Sequence, residues 1–262
     1  RFAMGVLWLY QIPTFLLGVV VVGLFLLIAV AGLRLTRGWR RKLAGTGNEF
    51  TNYYLATIAV MYAVLLGLIA VASWENYSDV EDVVSQEAIA AAGLFQTVEI
   101  YPPEHREQMR QLLKQYVSHV INEEWPNQRR GLVPRTHVQL VHRIAREFSS
   151  FEPASLGQQA AYAESLGQLR ELLAHRRMRL DAIGSNLPGL MWFVVLVGAL
   201  LTLSMTFFFW SEESALHRLL NAVLAATLGL MIFMIFSLDR PLVGSVSVEP
   251  TAFREVLETM GN

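Results

Sequence analysis

Cysteine is absent from the sequence. That excludes a disulfide framework, a thiolate metal site and a cysteine nucleophile, and it leaves the compartment open. Charge is scarce as well. Asp, Glu, Lys and Arg make up 16% of the 262 residues, against about 25% in an ordinary soluble domain. With 53% hydrophobic residues, the composition is that of a membrane protein with a modest polar part. A net charge of −1 supplies no long-range attraction to nucleic acid, which is not expected as a partner. Enzyme signatures are missing: there is no H-E-x-x-H, no G-x-S-x-G and no G-x-x-x-x-G-K. His137 and His142 are five apart and do not share a helix face, and the neighbours Glu123 and Glu124 diverge. No catalytic residue, cofactor or metal site is expected. The chain starts at Arg1, so a natural start upstream is expected, and the run 15–33 leads into a basic loop rather than a signal-peptide cleavage site.

What is present is long apolar runs. Phe15–Leu33, Tyr53–Trp74, Leu190–Trp210 and Leu219–Leu238 carry no charge inside and each approaches the roughly 20 residues needed to span a bilayer. Trp74, Trp192 and Trp210 stand at run ends, where amphipathic rings favour the headgroup layer. The chain divides into residues 12–74 (spans one and two), 75–187 (a polar insert), 188–238 (spans three and four) and 239–262 (an extended segment and a short helix). The insert repeats apolar residues at spacings of three and four: Val80, Val83, Val84, Glu87, Ala91 and Leu94, then Met109 to Val120 after Pro102-Pro103, then Val138 to Phe148, then Leu156 to Leu180. This period predicts helices. "EEWPNQRRGLVPR" reads as a loop, and only "VGSVSVEP" alternates like a strand. The expected fold is an all-α membrane protein of four transmembrane helices with a helical-bundle insert.

The stretch "LIAVASWENYSDVEDVVSQEAIAAA" (68–92) passes from apolar to acidic without a proline or glycine. Span two and the first insert helix are therefore expected to be one element, from about Asn52 to Ile100, some 70 Å long and twice the hydrocarbon thickness. The last insert helix is expected to lead back to span three, interrupted at "SNLPGL", where Pro188 permits a kink. On the long helix, steps of three and four join Tyr54, Thr57, Met61, Val64, Leu68, Val71, Glu75, Asp79, Asp82 and Gln86. Around an oligomer axis, Thr57 and Met61 would line a pore, Val64, Leu68 and Val71 would form a dewetting neck, and Glu75, Asp79 and Asp82 would form an acidic vestibule. The plain alternative is a face turned to lipid or a neighbouring helix, followed by a solvated acidic one.

Other positions carry smaller expectations. Gly18, Gly23, Ala29, Gly32 and Gly198 point to close helix packing, and Asn221 to an interhelical hydrogen bond. Asp239 and Arg240 read as an exposed interfacial pair. "RLTRGWRRK" (34–42) places its loop in the cytoplasm by the positive-inside rule, which puts the insert outside, although Arg176, Arg177 and Arg179 on the insert side count against this.

The blocks "YAVLLGLIAVASWENYSDVEDVVSQEA", "YVSHVINEEWP", "LPGLMW" and "SLDRPLVGSVSVEPTAF" occur in an order that resembles the bacterial bestrophin-like domain family, over residues of about 50 to 258. Bestrophins are pentameric anion channels whose second transmembrane helix lines a pore with an apolar neck. The resemblance implies four spans, a helical insert after the second, and a cytosolic insert. The acidic run of a bestrophin calcium clasp is not there, since "LDRPLVGSVSVEP" offers only Asp239 and Glu249. Together these point to a multi-pass protein of the bacterial inner membrane, self-associating into a ring in the lipid bilayer. The expected function is conduction of monovalent ions, with cations preferred because of the carboxylates. The alternatives are a membrane-anchored sensor or scaffold whose insert binds a partner, and a bestrophin-type anion channel.

Overall fold

The computed structural model describes residues 10–38, 48–133, 138–207 and 214–261, without the side chains of 48–52, 55, 138 and 214. The described residues form helices and no strand. They are α1 (Thr14–Leu35), α2 (Asn48–Thr97, extended by a 3₁₀ turn at Val98–Ile100), α3 (Pro103–His119), α4 (Trp125–Arg129), α5 (Val138–Ser150), α6 (Leu156–Ala182), α7 (Gly189–Thr206), α8 (Ser214–Leu238) and α9 (Thr251–Gly261). α1, the first half of α2, α7 and α8 are each long and apolar enough to cross a membrane. Trp210 and His137 lie outside the described residues. The chain forms two compact units, one of residues 10–76 and 186–239, the other of 77–185 and 240–261, and α2 contributes to both.

In the apolar unit the core is built from one stripe of each span. Phe25, Ala29 and Leu33 of α1 join Tyr62, Leu66 and Ala70 of α2, Val195, Ala199 and Leu203 of α7, and Ala225, Leu228, Ile232 and Ile235 of α8. Small residues let these helices approach. A Cβ on Gly18 would lie 3.3 Å from the Phe233 ring, and one on Gly32 would overlap the Phe207 ring. A Cβ on Gly23 would meet nothing within 4 Å among the described residues, whereas one on Gly229, which the sequence reading passed over, would lie 3.0 Å from the Val22 Cα. At Gly198 the contact is locked. The Tyr62 hydroxyl donates to the Val195 carbonyl at 2.8 Å, pinning its ring where a Cβ on residue 198 would be. Gly198→Ala is expected to cost about 1–3 kcal/mol through overpacking. Gly23→Ala should be neutral. Thermal melts of the two variants in detergent compare them directly, and equal melting temperatures would contradict the packing account.

The polar unit is a helical bundle with its own caps. Pro103 opens α3 at its first turn, where its missing N–H costs nothing. Ser155 caps α6, its Oγ accepting from the Gln158 N–H at 3.2 Å. Three sequence expectations are corrected. First, "EEWPNQRR" is not a loop: α3 runs through a π-helical turn, Val120–Glu124, into α4. The Trp125 N–H bonds back five residues to the Val120 carbonyl, and the widened turn accommodates Pro126, which would break a tighter helix. Second, the interruption expected at "SNLPGL" is a full break with no kinked helix across it, because α6 ends at Ala182 and α7 starts after Pro188. Third, "VGSVSVEP" is not a strand. It makes a turn in which Gly244 takes φ 90°, which a glycine adopts at little cost. The Gly244 N–H bonds to the Arg129 carbonyl at 3.0 Å, and the Val248 N–H to the Pro241 carbonyl at 2.8 Å.

Candidate functional site

α2 is a helix of 50 residues, about 75 Å long at 1.5 Å per residue. One flank is buried, through Tyr62, Leu66, Ala70 and Ser73, then Val80, Val84, Glu87, Ala91 and Leu94. The face singled out in the sequence is the opposite one. Met61, Val64, Leu68 and Val71 are 70%, 60%, 68% and 54% exposed, and Thr57, Glu75, Asp79 and Asp82 are exposed as well. At 100° per residue these eight positions fall within an arc of about 80°. Exposure alone covers more, since Val60 and Trp74 are also open, so exposure by itself does not single out this face. Glu75, Asp79 and Asp82 form no ion pair among the described residues. Thr57 turns its hydroxyl back to the Tyr53 carbonyl at 2.9 Å. No three His, Asp or Glu side chains among the described residues converge to hold a metal ion.

The buried flank carries a charge cluster that the sequence reading missed. Glu87 of α2 is fully buried. Its two oxygens receive Arg179 Nε at 2.6 Å and Nη2 at 2.9 Å, and Oε1 also receives the Tyr116 hydroxyl at 2.5 Å. Glu124, in the π turn, takes Arg176 through both Nη atoms at 3.0 and 2.7 Å and Arg179 Nη2 at 2.9 Å. Two carboxylates and two guanidinium groups thus neutralise one another between α2, α3, the π turn and α6. Burial opposes ionisation of Glu124, but the guanidinium groups of Arg179 and Arg176 outweigh it and hold its carboxyl below the usual range. Burial, reinforced by Glu87, pushes the Tyr116 hydroxyl well up. Arg176 and Arg179 are therefore not free basic residues flanking a span, and Arg177 alone of the three is exposed. Glu87 had a signal in the sequence, being the one charged residue in an otherwise apolar three-four series.

In the apolar unit two polar residues fix helix ends. Asn221 Oδ1 accepts the Thr206 hydroxyl, joining α8 to α7, as expected of an interhelical hydrogen bond. Asp239 is not half of an exposed pair. It is 4% exposed and accepts from the Tyr10 hydroxyl at 3.0 Å, the Leu187 N–H at 2.6 Å and Trp192 Nε1 at 3.4 Å. It ties the end of α8 to the start of α7, which explains the Pro-Trp pair in "LPGLMW".

No curated protein matches the chain. Among solved structures, a mutant of a bacterial bestrophin homologue from Klebsiella pneumoniae superposes with a TM-score of 0.72 at 14% identity, covering 94% of this chain and 99% of that one. The same homologue phased with zinc gives 0.70 at 16% identity, covering 93% and 98%. A crystal structure described as a membrane protein mutant gives 0.71 at 14% identity, covering 94% and 99%. These likenesses establish the fold. The profile of the Bestrophin-like domain matches residues 10–253, nearly the whole chain. This multi-pass membrane protein belongs to the bestrophin-like family.

Proposed function

We propose that the protein is an ion channel, a ring of identical subunits around a pore lined by α2. Family membership supports a channel in general terms. The observation that carries the pore assignment is the order of side chains along the exposed arc of α2. Thr57 and Met61 come first, then Val64, Leu68 and Val71, then Glu75, Asp79 and Asp82. Every one of them points away from its own subunit's core. A helix facing lipid and then solvent does not require its carboxylates to continue the apolar arc, whereas a conduit lined by one face does. Val64, Leu68 and Val71 act as a neck that stays closed by dewetting, and the carboxylates hold monovalent cations beyond it.

Leu68→Ser tests the neck. A hydroxyl lowers the cost of wetting an apolar constriction, so ion flux through reconstituted vesicles should rise several-fold over the parent protein. Imaging of the same preparation in lipid should show a closed ring with α2 at its axis. A correctly assembled ring whose flux is unchanged removes the neck, and a two-fold dimer or a monomer removes the pore.

A further inference from the structure

On the polar unit, α3, the π turn, α5 and α9 line an open surface cleft of about 580 Å³, room enough for a small molecule lying against the surface. Its walls present Lys114, Ser118, His119, Asn122 and Arg143, with Glu123 as the one carboxylate. Leu140 and Leu257 supply an apolar end, and no phenyl, phenol or indole ring lines it. Lys114 and Arg143 have no carboxylate within ion-pair distance among the described residues. Glu123 is already engaged by His119 Nδ1 at 3.2 Å. Asn122 Nδ2 donates to Ser118 Oγ at 3.1 Å, which leaves the serine hydroxyl its own proton to donate. The floor is built in: the His119 side chain is 11% exposed, and its Nε2 lies 3.9 Å from buried Glu124.

We infer that this cleft binds a small organic anion. A guanidinium fork and an ammonium are the donors that match a carboxylate or a phosphate. Counting Lys114 and Arg143 against Glu123, the Lys, Arg and Glu side chains of the site leave an excess of one positive charge. Leu140 and Leu257 take the ligand's short aliphatic part. With no such ring to stack on, a nucleobase is not what the site is shaped for. None of these residues belongs to α2, so the inference stands apart from the pore assignment, and direct binding tests it without reference to flux.

The experiment is calorimetric titration of the purified full-length protein with succinate and with glycerol 3-phosphate, at ionic strength held constant with potassium chloride. Saturable binding of at least one probe is expected, with a rise in melting temperature because the ligand binds the folded state. The two probes distinguish a carboxylate from a phosphate head. Lys114→Gln with Arg143→Gln should weaken binding by roughly tenfold or more, because both charged donors are lost, and Glu123→Gln should tighten it by removing the carboxylate, although it also loosens the His119 contact. The inference is overturned if neither probe saturates, or if the double variant binds like the parent. Should the double variant melt early without probe, Arg143→Gln alone decides, because Arg143 is exposed: weakened binding supports the site and unchanged binding overturns it.

Discussion

Arg179→Met is expected to cost the polar unit about 3–5 kcal/mol, the usual result of stripping one partner from a buried ion pair. Arg179 is fully buried and supplies three of the hydrogen bonds that neutralise Glu87 and Glu124. A methionine fills the space but leaves Glu87 with only the Tyr116 hydroxyl and Glu124 with Arg176 and the more distant His119 ring. Adding Glu87→Gln should recover part of the loss, because the uncompensated charge rather than the lost packing dominates. Hydrogen exchange across 77–185, with thermal melts, reads both effects. If Arg179→Met melts like the parent, the cluster contributes nothing to stability. The same cluster fixes an acid response. Glu124 is held below the ordinary carboxylate range, so its contribution is fully present above the unfolded glutamate pKa of about 4.3. It is lost as pH falls through the lower folded value. The parent should therefore lose stability on acidification below about pH 4, and Arg179→Met should show a weaker dependence.

The helices of this protein were legible because burial imprints a period of three and four residues on a helix, and that period survives in a single sequence. The long α2 was legible because no proline or glycine interrupts residues 68–92, and both its halves keep one phase of burial from Tyr62 to Leu94. What the period does not record is a partner. Glu87 meets Arg179 across 92 residues and Arg176 meets Glu124 across 52, so the pairs have no local signature, and Arg176 and Arg179 read only as basic residues on the insert side of span three. Asp239 was misjudged in the same way, its donors being Tyr10, Leu187 and Trp192. Pro126 misled in the opposite direction. A proline argues for a helix end, but a π turn had already widened the backbone ahead of it. The acidic face of α2 was the more readable feature, because all it requires is a free surface at a fixed helical phase.

Neutralising Glu75, Asp79 and Asp82 together is expected to abolish a preference for cations. In the proposed ring each subunit would contribute three carboxylates there, and none is offset by a neighbouring base among the described residues. At physiological salt the Debye length is about 8 Å, so charges facing one another across a narrow vestibule keep most of their potential. The same charges on an open surface are screened. Inside a vestibule they concentrate cations and exclude chloride, as acidic rings do in cation pores. The parent channel in a potassium chloride gradient should therefore reverse towards the potassium equilibrium potential. The variant Glu75→Gln, Asp79→Asn, Asp82→Asn should reverse towards chloride. Its stability should stay close to the parent's, since isolated surface charges contribute little, which separates a selectivity effect from a folding one. A parent that already reverses at the chloride potential, with a triple variant indistinguishable from it, would mean that the acidic run lies on a solvated outer face and that the selectivity of this channel is set elsewhere along α2.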